Sequence, residues 1–514
     1  MENTKIVILF TLALLYYCAS ILRRPKLPLP PGPPRLPLIG NLHQLRQLQS
    51  EPWKTYQKWH RKYGPIITLK YGQHTFIMLG NHQVTKDILE KRGDRYSSRP
   101  RMVVAERVTK NLQTSVMPYG PLWKTHRRLQ TSLLNSRTCQ LYHEIQDVES
   151  HQLLHDMLST NDFTDRFRRF SSSLIYTLAY GKRMPRGDEH EVQEIDLLIK
   201  NLMEVSRLRP VDIFPILEYL PRQMSKWKQI ADDFHHREVK LFTQNLKSAL
   251  QRGPWNWAKS LAGVQEAQQL TEKELSYVIG FLYEAGSDTT TAVLEVFTLA
   301  TLLHPDAVRT AQLELDTVVG QHRLPSFDDL SKLPFTMAFV KEVLRWRPIV
   351  TAGVPRLAEQ EDEYMGYRIP KGAVLIANHW SIDHDADVFE NAESFRPQRW
   401  LDHTNLPPSS GFGVGRRVCV GKHLTTNSLN IVIARLLWAY DIMPEKNGNE
   451  AGLMDPFKMK QIGLVARPMP FRACFQVRSP SRGLAIRDIG ARSQEGTDEI
   501  LNRIQASVAG TKAV

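Results

Sequence analysis

The 514 residues exceed what one minimal core needs, and length alone would suggest about three units of roughly 150 residues. A hydrophobic share of 42% excludes a chain that is disordered throughout. Lys and Arg number 67 against 53 for Asp and Glu, and this formal +14 suits nucleic acid, anionic lipid or an acidic protein partner; no nucleic-acid-binding motif accompanies it, which removes the first.

In chain order, residues Ile6 to Leu22 come first as an uncharged, mostly apolar run. As a helix rising ~1.5 Å per residue it sits near the lower limit for crossing a bilayer. Arg23, Arg24 and Lys26 follow at once, without a small-residue cleavage site. That pattern predicts an uncleaved signal anchor over residues 1–22, a single transmembrane helix with the following chain on the cytoplasmic side; the competing reading is a cleaved export signal. Residues 23–40 are crowded with Pro25, Pro28, Pro30, Pro31, Pro33, Pro34 and Pro37, which no helix can traverse. This stretch reads as a stiff polyproline hinge that holds the body in a fixed pose against the membrane.

The body, residues 41–475, is expected to be mainly α with a minor β component. Thr271 and Glu274 form a capping box that opens a long helix running to about Leu303, before Pro305. A second helix spans about Pro334 to Trp346, and a third begins after Gly421 and runs to about Tyr440. Strand-like pieces occur at Ile66–Tyr71, Thr75–Leu79 and Ala373–Ala377. Residues 476–514 turn polar, and a loosely held tail is expected there.

Cysteines are few: Cys18, Cys139, Cys419 and Cys474, none in a CxxC pair. That excludes a zinc cluster and a disulfide framework. The absence of Asn-x-Ser/Thr favours a body outside the secretory lumen. The most informative segment is Phe412-Gly-Val-Gly-Arg-Arg-Val-Cys-Val-Gly421. It is not a dinucleotide fingerprint, because the third glycine is missing and Pro407-Pro408 stands where a strand should be. It is not a P-loop, because His423 follows Gly421-Lys422 in place of Ser or Thr. A thiolate site suits it better. Glycines allow close approach to a flat cofactor, and Cys419 just before a helix gains the dipole and free N–H groups.

This string resembles the haem-binding signature FxxGxRxCxG of the cytochrome P450 family, with Phe412, Gly415, Arg417, Cys419 and Gly421 at its fixed positions. Glu342-Val-Leu-Arg345 looks like the family's ExxR pair, and Arg399 matches the arginine that joins it; Gln398 stands where the family often has Glu. Trp123-Lys-Thr-His-Arg127 resembles the WxxxR element, and Arg356 occupies a further propionate-contact position. Ala285-Gly-Ser-Asp-Thr-Thr290 resembles the oxygen-activation motif, in which Ala285 and Gly286 leave room for dioxygen and Asp288 and Thr289 relay protons. The resemblance covers roughly Leu29 to Phe475.

It implies the cytochrome P450 helical prism with haem b, its iron bound axially by Cys419, between the helices that carry Asp288 and follow Cys419. It implies a monooxygenase in the endoplasmic reticulum membrane. Electrons would come from NADPH through a cytochrome P450 reductase, with cytochrome b5 as a further donor. The acidic docking face of that partner would meet Lys124, Arg127, Arg128, Arg416 and Lys422. The substrate would be a small apolar molecule, oxidised with O₂, and the general type resembles fungal members that tailor secondary metabolites. Walls of the pocket are expected from Arg101–Tyr119, Ile199–Pro221, the long helix, Ile349–Val354 and Gln461–Leu464. Glu284 either faces that pocket or turns toward a neighbouring helix. The competing classes are a haem-thiolate isomerase or dehydratase, which the Asp288-Thr289 pair argues against, and a non-enzymatic haem sensor.

Overall fold

The computed structural model describes residues 27–48, 51–205, 210–445, 455, 458–492 and 496–512. The anchor expected over residues 1–22 lies outside the described residues. Among the described residues no single helix is long and apolar enough to cross a membrane.

The longer helices, in chain order, are α1 (Pro52–Tyr63), α2 (Pro121–Leu134), α3 (His143–Asp156), α4 (Phe163–Tyr180), α5 (His190–Val205), α6 (Lys226–Gln251), α7 (Glu272–Leu303), α8 (Pro305–Val318), α9 (Pro334–Trp346), α10 (Lys422–Ala439), α11 (Pro480–Arg492) and α12 (Thr497–Lys512). The strands used below are β1 (Ile66–Tyr71), β2 (His74–Leu79), β3 (Arg356–Leu357), β4 (Val374–Ala377), β5 (Tyr440–Pro444), β6 (Met459–Ile462), β7 (Val465–Pro468) and β8 (Ala473–Val477).

The capping box forms as predicted: the Glu274 N–H donates to Thr271 Oγ1, and the Thr271 N–H donates to Glu274 Oε2 at 2.8 Å. From there α7 runs through the core, apolar on nearly every side, which is the pattern of a fully enclosed helix. It packs chiefly on α4 and α6, and lower down on α9 and α10. The main sheet has order β1-β2-β4-β3. Its first hairpin turns in two residues, with Gly72 at φ +58° as such a turn requires, so Ile66 pairs Leu79. Strand β4 runs parallel to β2, and β3 closes the sheet antiparallel to β4, placing Arg356 opposite Leu375.

Two parts differ from the sequence reading. The proline-rich stretch is laid onto the body: Thr68 N–H donates to the Pro31 carbonyl and Arg368 N–H to that of Pro28, both at 2.8 Å. The polar tail is helical. Its sparse aliphatics Ile486, Ile500, Leu501 and Ile504 are buried in the main core, where α11 and α12 dock on α3. Arg503 of α12 also pairs with Glu144 of α3. Average composition hid a docking face of only a few residues.

Candidate active site

A cavity of about 340 Å³ lies between α7 and the loop that precedes α10. Ala285, Gly286, Thr289 and Val293 of α7 line it, as do Val350 and Val354 and the segment Gly411–Val414. Cys419 lies at its wall three residues before the first residue of α10. Its N–H donates to the Phe412 carbonyl at 2.8 Å, which closes the loop. Gly415 makes that loop possible: its φ is +63°, and a Cβ there would lie 2.3 Å from the Leu89 carbonyl oxygen. Burial pushes the Cys419 thiol up, while the backbone N–H groups of Gly421 and Lys422 and the charge of Arg127 favour the thiolate. The other described cysteines stand elsewhere, Cys139 in the main core and Cys474 in β8.

Besides Arg347, four arginines reach the same cavity: Arg99, Arg127, Arg356 and Arg417. None has an ion-pair partner among the described residues. Arg99 donates to the carbonyls of Ser115, Val354 and Pro355, Arg356 to that of Val414, and Arg417 to those of Ser97, Thr114 and Met117. Burial pushes Arg356 down to about 10; burial, aided by repulsion from neighbouring arginines, pushes Arg417 down to about 9 and holds Arg99 well below the usual guanidinium range. Buried cations without anions are costly. Trp123 lies under Arg417, with its ring centroid 4.2 Å from the guanidinium carbon, and its buried Nε1 has no partner. The set fits a flat, dianionic group: haem, whose propionates would meet these cations and the indole N–H.

The predicted residues divide into three groups. Cys419, Trp123, Arg127, Arg356, Phe412, Arg417, Gly421, Ala285, Gly286 and Thr289 all line the cavity. Gly286 is small for a further reason: a Cβ there would lie 2.8 Å from Ile175 Cγ1 of α4. The Thr289 hydroxyl donates to the Ala285 carbonyl at 2.9 Å. Asp288 does not reach the cavity. It is ion-paired with Arg467 of β7, which also holds Glu295 at 2.8 Å, and its Oδ2 is buried without a partner. Glu342, Arg345 and Arg399 form a network outside the cavity, described below.

Glu284 takes the second of its two expected orientations, toward the neighbouring helix α6. There Gln113 Nε2 lies 2.7 Å from both Glu284 Oε2 and Glu238 Oε1. Of the expected walls, Ile199–Pro221 and Gln461–Leu464 contribute no lining residue among the described residues. Lys124, Arg128 and Arg416 are exposed, whereas Arg127 turns to the cavity. Arg99 was missed by sequence reasoning, because an isolated arginine in Ser97-Ser-Arg-Pro100 carries no local signal of its partners.

The Cytochrome P450 family profile matches residues 30–475 of this chain. The "Cytochrome P450 monooxygenase aneD" of Aspergillus aculeatus is 43% identical, covering 98% of this chain and 99% of that protein. The "Cytochrome P450 monooxygenase FrzL" of Cladobotryum sp is 42% identical over 94% of each chain. A zebrafish cytochrome P450 solved with abiraterone superimposes with a TM-score of 0.68, at 24% identity, over 83% of this chain and all of that one.

Proposed function

The chain belongs to the cytochrome P450 family and is a haem-dependent monooxygenase; from that premise we propose that Cys419 is the thiolate that would hold the haem iron and that the substrate is a small apolar product of fungal secondary metabolism. One observation carries the assignment: Cys419 and four carboxylate-free arginines open onto one cavity.

Bound haem supplies the reductive activation of O₂ and the transfer of one oxygen atom to a C–H bond. The chain's own part is to bind, orient and deliver protons. Arg99, Arg127, Arg356, Arg417 and the Trp123 N–H would hold the propionates. The Gly421 and Lys422 N–H groups stabilise the Cys419 thiolate. Phe281, Leu282, Val293, Ile349 and Val354 give the cavity an apolar wall, which supports an apolar substrate. Thr289 keeps its oxygen lone pairs free to accept a hydrogen bond while its own hydrogen is held by the Ala285 carbonyl. Asp288 is the acid of this pair. Because Arg467 holds its carboxylate outside the cavity lining, proton supply requires either release from Arg467 or a chain of water.

Electrons come from an NADPH-dependent cytochrome P450 reductase, with cytochrome b5 as a second donor. The exposed cations Lys124, Arg128 and Arg416 near the Cys419 loop support an acidic partner. Residues 1–22 anchor the protein in the endoplasmic reticulum membrane with its body in the cytoplasm. Deleting them should release much of the protein from membranes and leave haem binding intact; a full-length protein that is unanchored, or cleaved near Ser20, would exclude the anchor. The deciding experiment is turnover by holoenzyme with reductase and NADPH. Substrates are found by screening a metabolite library for the Soret shift of water displacement. Product must contain one atom of ¹⁸O from labelled O₂, and turnover without O₂ would overturn the reading.

A further inference from the structure

Gln113 sits where three elements meet. Its side chain is buried between Glu238 of α6 and Glu284 of α7, donating one amide N–H to each at 2.7 Å. The Tyr277 hydroxyl donates to the other oxygen of Glu238 at 2.6 Å, and Glu284 Oε1 is buried without a partner. The backbone of Gln113 has a second task. Its carbonyl accepts the N–H groups of Val116 and Met117, which folds residues 113–117 into a tight turn. That turn lines the cavity with Thr114 and Ser115. Its carbonyls hold two of the buried cations: Thr114 and Met117 accept from Arg417, and Ser115 accepts from Arg99.

We infer that Gln113 is a positioning residue that couples the helices above the cavity to the arginines beside it, so that protonation of the Glu238–Glu284 pair is felt at Arg99 and Arg417. The inference rests on those arginines holding the haem propionates. An amide is the side chain this position needs, since each carboxyl offers an acceptor and a third carboxyl here would add another buried acid with no cation among the described residues to pair it.

Burial raises Glu238 to about 7 and holds Glu284 well above the usual carboxylate range. The titratable groups facing Glu238 are Glu284, Tyr277 and Lys273 from α7, and His235 of its own helix reaches Lys273 and Tyr277. Lys273 Nζ lies 3.1 Å from His235 Nε2, and Arg107 of the adjoining Val103–Thr109 helix is taken by Asp232. Through about pH 7 Glu238 therefore loses its proton, while burial and the nearby Glu238 charge favour the neutral form of Glu284. An N–H bond to a carboxylate is roughly twice as strong as one to a neutral acid, so the turn tightens as pH rises.

The test uses ferric holoenzyme. Amide protection at Val116 and Met117, corrected for intrinsic exchange, should rise about tenfold from pH 6 to pH 8, and the Soret band should shift with a midpoint near 7. Glu238→Gln keeps the acceptor and cannot ionise, so both responses should vanish in a folded protein. Gln113→Ala should lower protection at every pH. An unchanged pH response in Glu238→Gln, or full protection in Gln113→Ala, overturns the coupling. Arg417→Gln separates the premise: undiminished haem affinity there refutes propionate binding by Arg417, while the amide data still judge the turn.

Discussion

Glu342 and Arg345 stand three residues apart on α9 and meet through two hydrogen bonds, of 2.9 Å from Nε and 2.7 Å from Nη2, with neither side chain exposed. Arg399 Nε adds a third at 3.1 Å and Trp400 Nε1 a fourth at 2.9 Å. Arg345 extends the lock by donating to the carbonyls of Asp383, Ala392 and Ser394. The segment that leads into the Cys419 loop is thereby fastened to α9, far from any surface bridge worth under ~1 kcal/mol.

Glu342→Ala should therefore cost about 3–5 kcal/mol, because Arg345 and Arg399 would remain as buried, uncompensated cations. The expected result is poor haem incorporation and a lowered unfolding midpoint, not a slow but intact enzyme. A well-folded, haem-loaded variant would show that this network is dispensable.

Cys419→His should lose the strongly red-shifted Soret band of the reduced, CO-bound protein while retaining some haem through the arginines. Cys419→Ala that keeps the wild-type spectrum would refute the ligand assignment. Cys139→Ala and Cys474→Ala serve as controls and should leave the band unchanged.

What the sequence made legible was local. The Thr271 capping box, the Glu342–Arg345 spacing and the unbroken string around Cys419 each encode their geometry within a few residues. What it hid depends on long-range closure. Gln113 meets Glu238 across 125 positions and Glu284 across 171, and Asp288 meets Arg467 across 179. No periodicity marks such partners. The motif reading made Asp288 a proton relay with Thr289, and it could not show that successive residues on a helix, pointing about 100° apart, give Thr289 to the cavity and Asp288 to Arg467. The tail misled for the opposite reason: α11 and α12 bury too few aliphatics to stand out from a polar background.

Asp383 offers a pH test near the same segment. Its buried carboxyl receives the Ser410 N–H at 2.8 Å and the Ser409 hydroxyl at 2.7 Å, and burial raises it to about 6. A carboxyl raised above its unfolded value contributes stability that is fully present below about pH 4 and lost as pH rises through 6. Roughly two pKa units correspond to about 3 kcal/mol. Asp383→Asn should therefore gain stability relative to wild type between pH 4 and pH 8. Denaturant midpoints measured at both pH values decide it; a difference that does not change with pH counts against a raised carboxyl.

Thr289 and Asp288 test the proton path. Neither supplies a ligand to iron, so neither should be needed for haem binding. Asp288→Asn gives up its ion pair with Arg467, but Arg467 retains Glu295 at 2.8 Å, and the fold should hold. Thr289→Ala removes only a hydroxyl already bonded within its own helix, a change that costs little stability. Both substitutions should act later, when O₂ has been reduced and a proton must reach it. Without Thr289 the proton has no ordered last carrier, and reducing equivalents should leave as hydrogen peroxide. Without the Asp288 carboxylate the supply itself slows, with a larger solvent isotope effect. Positioned acid–base groups are worth about 10²–10⁴-fold, so neither effect should be subtle. The measurement is product formed per NADPH consumed, with peroxide assayed in parallel and the ferric and CO-bound spectra as controls for folding. Thr289→Ala should keep the spectra and substrate affinity yet uncouple, whereas Asp288→Asn should lower the rate with less uncoupling. If both variants turn over at the full rate and coupling, protons reach the cavity by another route, and the pair is only part of the packing of α7.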